Sequence, residues 1–306
     1  MTVAYITHPA CRLHSMGEGH PESPSRLDAI EDQLLATGLD FALRRYDARP
    51  ATREQLCRVH DPAYVDRLRA ATPATGLHWL DPDTAMNPNT LDAALHAAGA
   101  VVTAVDLVMT GQAISAFCAV RPPGHHAGPG TAMGFCFFNN VSVGAAHALH
   151  RHALDRVAIV DFDVHHGNGT EAIFGDEPRV LFCSSFQHPF YPHADIGAPA
   201  PHVLKLPFAA GVGSHTFRNR IAAEWFEILD AFRPELIMIS AGFDGHWQDE
   251  AADLNLNERD YGWITRELRR LADRHADGRI VSTLEGGYAL PALGRSVIEH
   301  LRALLD

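Results

Sequence analysis

The sequence is short of positive charge. Its 25 lysines and arginines are outnumbered by 37 aspartates and glutamates, giving a formal charge of −12 over 306 residues. General nucleic-acid binding needs a cationic surface against phosphate, so no direct nucleic-acid partner is expected. An acidic surface suits a soluble protein that attracts cationic substrates. Paired cysteines are missing too: Cys11, Cys57, Cys118, Cys136 and Cys183 are odd in number and show no CxxC spacing. They read as free, mostly buried thiols in a reducing compartment. No apolar run reaches the roughly 18 residues of a membrane span, so no membrane partner is expected. The start, MTVAYITHPACR, lacks the basic-then-apolar layout of a secretory signal. There is no internal repeat, low-complexity tract or linker rich in Pro, Gly or Ser. A cytoplasmic protein with one domain over 1–306 is the expectation, and 46% hydrophobic residues suffice for a large core. The oligomeric state stays open, a homodimer included.

What is present is a rhythm of short apolar runs. VAYIT (3–7), ISAFCAV (114–120), RVAIVDF (156–162), RVLFCSS (179–185), VLKLP (203–207), ELIMISA (235–241) and RIVSTLE (279–285) predict strands. Several are nearly continuous in apolar residues, as strands buried on both faces are. Helical patterns fall between them at 25–38, 89–111, 139–154, 214–232 and 257–278, two of them ending at Gly38 and Gly111. Strands alternating with helices predict an α/β domain around a mostly parallel sheet covered on both faces. Residues 40–90 are less regular and are expected to form loops over the sheet.

The polar residues cluster where strands end. RPPGHH follows the run at 114–120, DFDVHHGNG continues 156–162, GFDGH follows 235–241, and GGY follows 279–285. In open parallel sheets the carboxyl edge is where ligands bind. Asp163 and His165, two apart on an extended segment, point the same way and can reach one ion. Asp244 can supply a third ligand. Two carboxylates and an imidazole suit a catalytic Zn²⁺ with an open position, or Fe²⁺; the alternative is that they are caps and turn residues. His125 and His126 follow a rigid PPG turn and suit general acid–base work, with Asp161 and Asn168 as orienting partners; the alternative is a surface pair. Tyr288, after two glycines, has a hydroxyl fit for an oxyanion, or is a packed aromatic. Gly167 and Gly169 are expected to permit a tight turn, and His166, pointing away from His165, to be a hydrogen-bonded support. His147, His150 and His152 read as solvated, and Cys118 and Cys136 as buried packing.

RPPGHH, GFCFFNN, DFDVHHGNGT, SAGFDGH and LEGGY occur in one order, preceded by HPESPSRL. In these motifs the chain resembles the histone deacetylase and acetylpolyamine amidohydrolase superfamily, with a likeness to bacterial, class II-like members over roughly 15–300. The resemblance implies the three-layer arginase/deacetylase fold, with a mostly parallel eight-stranded sheet flanked by helices. It also implies one Zn²⁺ on Asp163, His165 and Asp244. His125 and His126 would be the acid–base pair and Tyr288 the oxyanion donor. Phe135, Gly134, Tyr191 and Gly287 would form the substrate channel, with Asp83 on its rim and Arg26 lining a deeper channel. A structural K⁺ or Na⁺ is implied on Asp161, Asp163, His165, Ser185 and Phe186. The chain departs from the family pattern in places. Asn168 stands where class I members carry aspartate, Tyr191 replaces a phenylalanine, and SSFQHP replaces the usual SLH pattern. Tyr288 is kept where poorly active class IIa members carry histidine. Gly167 and His246 stand where a two-manganese arginase site needs further carboxylates, so a single ion is expected. The activity implied is hydrolysis of N-acetyl amides, foremost acetyl-lysine in a peptide or protein. A small acetylated amine such as an acetylpolyamine comes second, because Ala251 rather than Glu250 occupies the matching position. A silent acyl-lysine-binding module comes third.

Overall fold

The computed structural model describes residues 2–193, 195–196 and 200–306. Its first elements are β1 (Val3–Thr7), α1 (Ser25–Thr37), β2 (Leu43–Asp47), α2 (Arg53–Leu56), α3 (Pro62–Ala71), and a small hairpin of β3 (His78–Trp79) and β4 (Ala85–Met86). Then come α4 (Thr90–Met109), β5 (Ser115–Cys118), α5 (Asn140–Arg151), β6 (Val157–Asp161), α6 (Asn168–Phe174), β7 (Val180–Gln187) and β8 (Val203–Phe208). The chain finishes with α7 (Ser214–Glu224), α8 (Phe226–Phe232), β9 (Leu236–Ala241), α9 (Glu258–His275), β10 (Ile280–Leu284) and α10 (Leu290–Leu305).

Eight strands join in the order β2-β1-β5-β10-β9-β6-β7-β8, and every neighbouring pair is parallel. The four strands that carry the polar motifs, β5, β10, β9 and β6, are contiguous at the centre. Their residues are buried throughout, as the continuous apolar runs require. Because all four run the same way, their motifs emerge on one edge. Helices cover the sheet: α4 and α5 pack together, and so do α1, α10 and α9.

All seven expected strands are present, with ends shifted by a residue or two. The eighth, β2, lies in the stretch read as loops, which also holds α3. Its sequence LRRYD is polar because it is an edge strand with three exposed side chains. The helix expected over 214–232 breaks at Trp225, whose side chain is buried between α7 and α8. The C-terminal α10 was not among the expected helices. By length and composition α4 passes as a membrane span, contrary to the reading of short apolar runs, yet most of it is buried inside the protein as a core helix.

Candidate active site

The carboxyl ends of β6 and β9 bring together three side chains that could hold a metal ion. His165 Nδ1 lies 3.0 Å from Asp163 Oδ1 and 3.2 Å from Asp244 Oδ2. Backbone amides fix the remaining carboxylate oxygens: Gly286 N donates to Asp163 Oδ2 at 2.8 Å and Val164 N to Asp244 Oδ1 at 3.0 Å. Asp244 Oδ2 is buried and accepts no hydrogen bond. Burial, and then the neighbouring Asp163, push the Asp244 carboxyl up to about 6. Burial disfavours charge on His165, yet the two carboxylates beside it, Asp163 and Asp244, lift it to about 9. An orphaned buried oxygen, like-charge crowding and a convergent imidazole are what a divalent cation would relieve. The residues therefore fit a metal ion.

The tandem histidines sit beside this trio with their rings 4.1 Å apart. His125 Nδ1 donates to Asp161 Oδ2 at 2.9 Å, and its Nε2 is 3.8 Å from Asp163 Oδ1. His126 Nδ1 donates to the amide oxygen of Asn168 at 2.7 Å, which leaves its Nε2 free of a proton. Burial works against charge on both rings. Asp161 and Asp163 overcome it at His125, which is held well above the ordinary imidazole range. At His126 the positive His125 and His165 reinforce it, and the group falls well below that range. Two adjacent imidazoles are thus driven apart, one cationic and one neutral.

The walls come from more distant elements. A narrow cavity of about 110 Å³ is lined by Asp83, Pro123, His125, His126, Gly134, Phe135, His165, Tyr191, Gly286 and Tyr288. Phe135 is held at φ +68°, a conformation bulky residues avoid, with its ring edge-on to Tyr288 at 6.0 Å. A Cβ on Gly134 would lie 2.4 Å from the His126 ring and 2.9 Å from the Tyr191 hydroxyl, so only glycine fits. Asp83 Oδ1 accepts from Gly134 N at 3.2 Å and from the Thr84 hydroxyl at 2.7 Å, tying the rim to the wall. Burial, and then Asp244, raise the Tyr288 hydroxyl well above its usual value, so it stays protonated.

Of the residues expected from sequence, Asp83, His125, His126, Gly134, Phe135, His165, Tyr191 and Tyr288 share this cavity, with Asp163, Asp244, Asp161 and Asn168 bonded behind it. Gly287 is not among the lining residues. It turns the chain at φ +120° toward Phe243 and Leu293, and Gly286 takes the place at the wall. Ser185 and Phe186 lie in β7, where the Phe186 ring packs 4.7 Å from His166. His166 is buried and bonded to Ser184 Oγ at 2.9 Å and Glu171 Oε2 at 2.5 Å, turned from the metal trio. His246 sits outside that trio, 3.5 Å from Glu258. Gly167 and Gly169 serve close approach rather than a left-handed turn: a Cβ would meet Asp161 Oδ2 at 2.2 Å and Ala127 O at 2.4 Å. Arg26 is fully buried, 5.0 Å from the Tyr288 ring centroid, with Nε donating to Gly287 O at 2.7 Å.

Three buried carboxylates escaped the sequence reading. Glu285 accepts from Gly124 N at 2.7 Å, His125 N at 3.1 Å and Ser240 Oγ at 3.1 Å, and burial lifts it to about 7. Asp249 accepts from Tyr288 N at 2.6 Å and Ala289 N at 2.9 Å. Glu22 bridges Arg121, at 2.5 and 2.6 Å, and Arg26, at 3.2 Å. Glu22 and Glu285 stand inside the quoted motifs HPESPSRL and LEGGY. No local pattern marks an acid that will be buried to bind distant amides.

The histone deacetylase domain matches residues 20–304 of the chain. The chain belongs to the histone deacetylase family. It is 38% identical to a histone deacetylase-like amidohydrolase of Pseudomonas aeruginosa, over 92% of this chain and 77% of that protein. It is 34% identical to a probable deacetylase of Archaeoglobus fulgidus, over 95% of this chain and 82% of that one. The human polyamine deacetylase HDAC10 is 36% identical over 93% of this chain and 44% of its own length. Among solved structures, the HDA15 HD domain superposes with a TM-score of 0.93 at 32% identity, covering 99% of this chain and 88% of that one. This histone deacetylase family member therefore has the three-layer arginase/deacetylase fold, and it is a deacetylase-type amidohydrolase by family.

Proposed function

We propose that the chain is a zinc-dependent amidohydrolase that removes the acetyl group from Nε-acetyl-lysine in peptides or proteins and releases acetate. The observation that carries this reading is the convergence of Asp163, His165 and Asp244 with one cationic and one neutral imidazole in one narrow cavity. A Zn²⁺ or similar borderline ion held by those three residues would supply Lewis acidity to the amide carbonyl and acidify water. His126, neutral and with Nε2 open, takes the proton from the attacking water and passes it to the departing amine. Asn168 holds its ring in the required tautomer. His125, charged against Asp161, adds positive potential where negative charge develops. Tyr288 donates its proton-bearing hydroxyl to the oxyanion. Phe135 and Tyr191 flank the aliphatic stem of the substrate, and Asp83 orients it at the rim. A structural K⁺ or Na⁺ bound through Asp161, Asp163, His165, Ser185 and Phe186 belongs to the same proposal, on family resemblance.

A small acetylated amine is the second reading. The exposed Glu250 lines a cleft of about 400 Å³ beside Tyr288, placed to meet a remote ammonium. Acetate release from an acetyl-lysine peptide and from acetylputrescine, measured on protein of known zinc content, decides between them. Faster cleavage of the peptide is expected. Faster cleavage of acetylputrescine reverses the order, and cleavage of neither by zinc-loaded protein overturns the proposal.

A further inference from the structure

A second cluster with metal-binding chemistry lies away from the active site, where α4 and α5 end. His147 Nε2 and His152 Nε2 both face Asp106 Oδ1, at 2.9 and 2.8 Å. The three ligand atoms lie within 4.8 Å of one another, as those of Asp163, His165 and Asp244 do. The nitrogen-to-oxygen separations match too, since the active-site trio has 3.0 and 3.2 Å. Expectation from sequence was that these histidines are solvated. His147 is instead buried, and Asp106 is half-exposed, which leaves one side open to water.

The surroundings favour positive charge. Asp106 lies in the last turn of α4, its carbonyl accepting from Thr110 N, and His152 caps the C-terminus of α5. Two helix C-termini, each with partial negative charge, therefore converge on the carboxylate. One group resists. Arg58 Nη1 lies 3.3 Å from His147 Nδ1, and a guanidinium only donates, so without metal His147 carries its proton on Nε2. Arg58 is also tied to the exposed Glu54 at 2.8 Å.

We propose that Asp106, His147 and His152 form a second, surface site for a borderline divalent cation such as Zn²⁺. The site staples α4 to α5 and completes its coordination with water. Two imidazoles and one carboxylate are a donor set for such ions. Loading moves the protons of both His147 and His152 from Nε2 to Nδ1 and displaces Arg58. The test is bound zinc per chain after equilibrium dialysis against Zn²⁺. Wild type is expected to hold two equivalents, and His152→Ala and Asp106→Asn one each with deacetylation unchanged. Asp244→Asn should keep the surface ion alone. Arg58→Met, which removes the opposing donor, should tighten the second site about tenfold. Folding of each variant is checked by its melting curve. The proposal is overturned if Asp244→Asn holds no zinc, or if the second equivalent survives in the Asp106→Asn/His152→Ala double variant.

Discussion

Replacing Gly286 by alanine tests the metal trio without touching a ligand. The added Cβ would lie 2.0 Å from Asp244 Oδ2, 2.7 Å from Asp244 Cγ and 2.6 Å from Asp163 Oδ2. Ordinary contact begins at 3.4 Å, so the Asp244 oxygen must retreat by about 1.4 Å, or Gly286 must move back. The first would pull Asp244 away from the proposed ion, to which a ligand bond would be only about 2 Å long. The second stretches the 2.8 Å bond from Gly286 N to Asp163 Oδ2. Changing a partner of a ligand already costs 10–100-fold in metal affinity, so displacing the ligand itself should cost at least about 100-fold. The fold should lose only about 1–3 kcal/mol, the usual cost of overpacking. The assays are metal content after dialysis, acetate release and a thermal melt. Gly213→Ala is the control, because its Cβ meets nothing nearer than Asn255 O at 3.7 Å. A Gly286→Ala protein that keeps its metal and its rate within threefold would refute the placement of the ion.

Tyr288→Phe should lower kcat by a factor of 10²–10³, about 3 kcal/mol, with metal content unchanged. Asn168→Asp places a carboxylate on His126 and should raise its pKa, so the acid limb of the kcat/KM profile should move to higher pH. Asp249→Ala removes the acceptor for two amides at Tyr288 and Ala289. It should cut kcat about tenfold without metal loss, and Asp249→Asn should restore most of it. His300 is buried against Ser282 and Thr265, and burial lowers it to about 3. Below pH 6.5 the unfolded chain binds a proton that the native ring refuses, so its stabilising effect is lost as pH falls from 6.5 toward 3. Between pH 7 and 5 the loss amounts to about 2 kcal/mol, read as a shallower pH slope of stability in His300→Leu.

The sequence made some parts of the molecule plain and hid others. Strands buried on both faces announce themselves by apolar runs, so the six inner strands were legible, as was the largely apolar edge strand β8, while the polar edge strand β2 was not. Polar motifs at four strand ends were legible as a site because all parallel strands end on one side. What was not legible is pairing across the chain. His147 and His152 read as surface residues because the carboxylate that gathers them comes from a different helix. Glu22, Glu285 and Asp249 gave no signal because burial, not spacing, defines their role.

The cross-bonding of the strand-end loops has a consequence for altering this enzyme. Asp163 receives an amide from the β10 loop, Asp244 one from the β6 loop, and Glu285 two from the β5 loop. Three of the four loops therefore hold a carboxylate from another loop, and none of these can be transplanted from a relative without its bonding partners. Substitutions within this mesh should combine non-additively. Glu250 and the Tyr191 ring lie outside it, so selection for new acyl amides has freedom at the mouth and little at the floor.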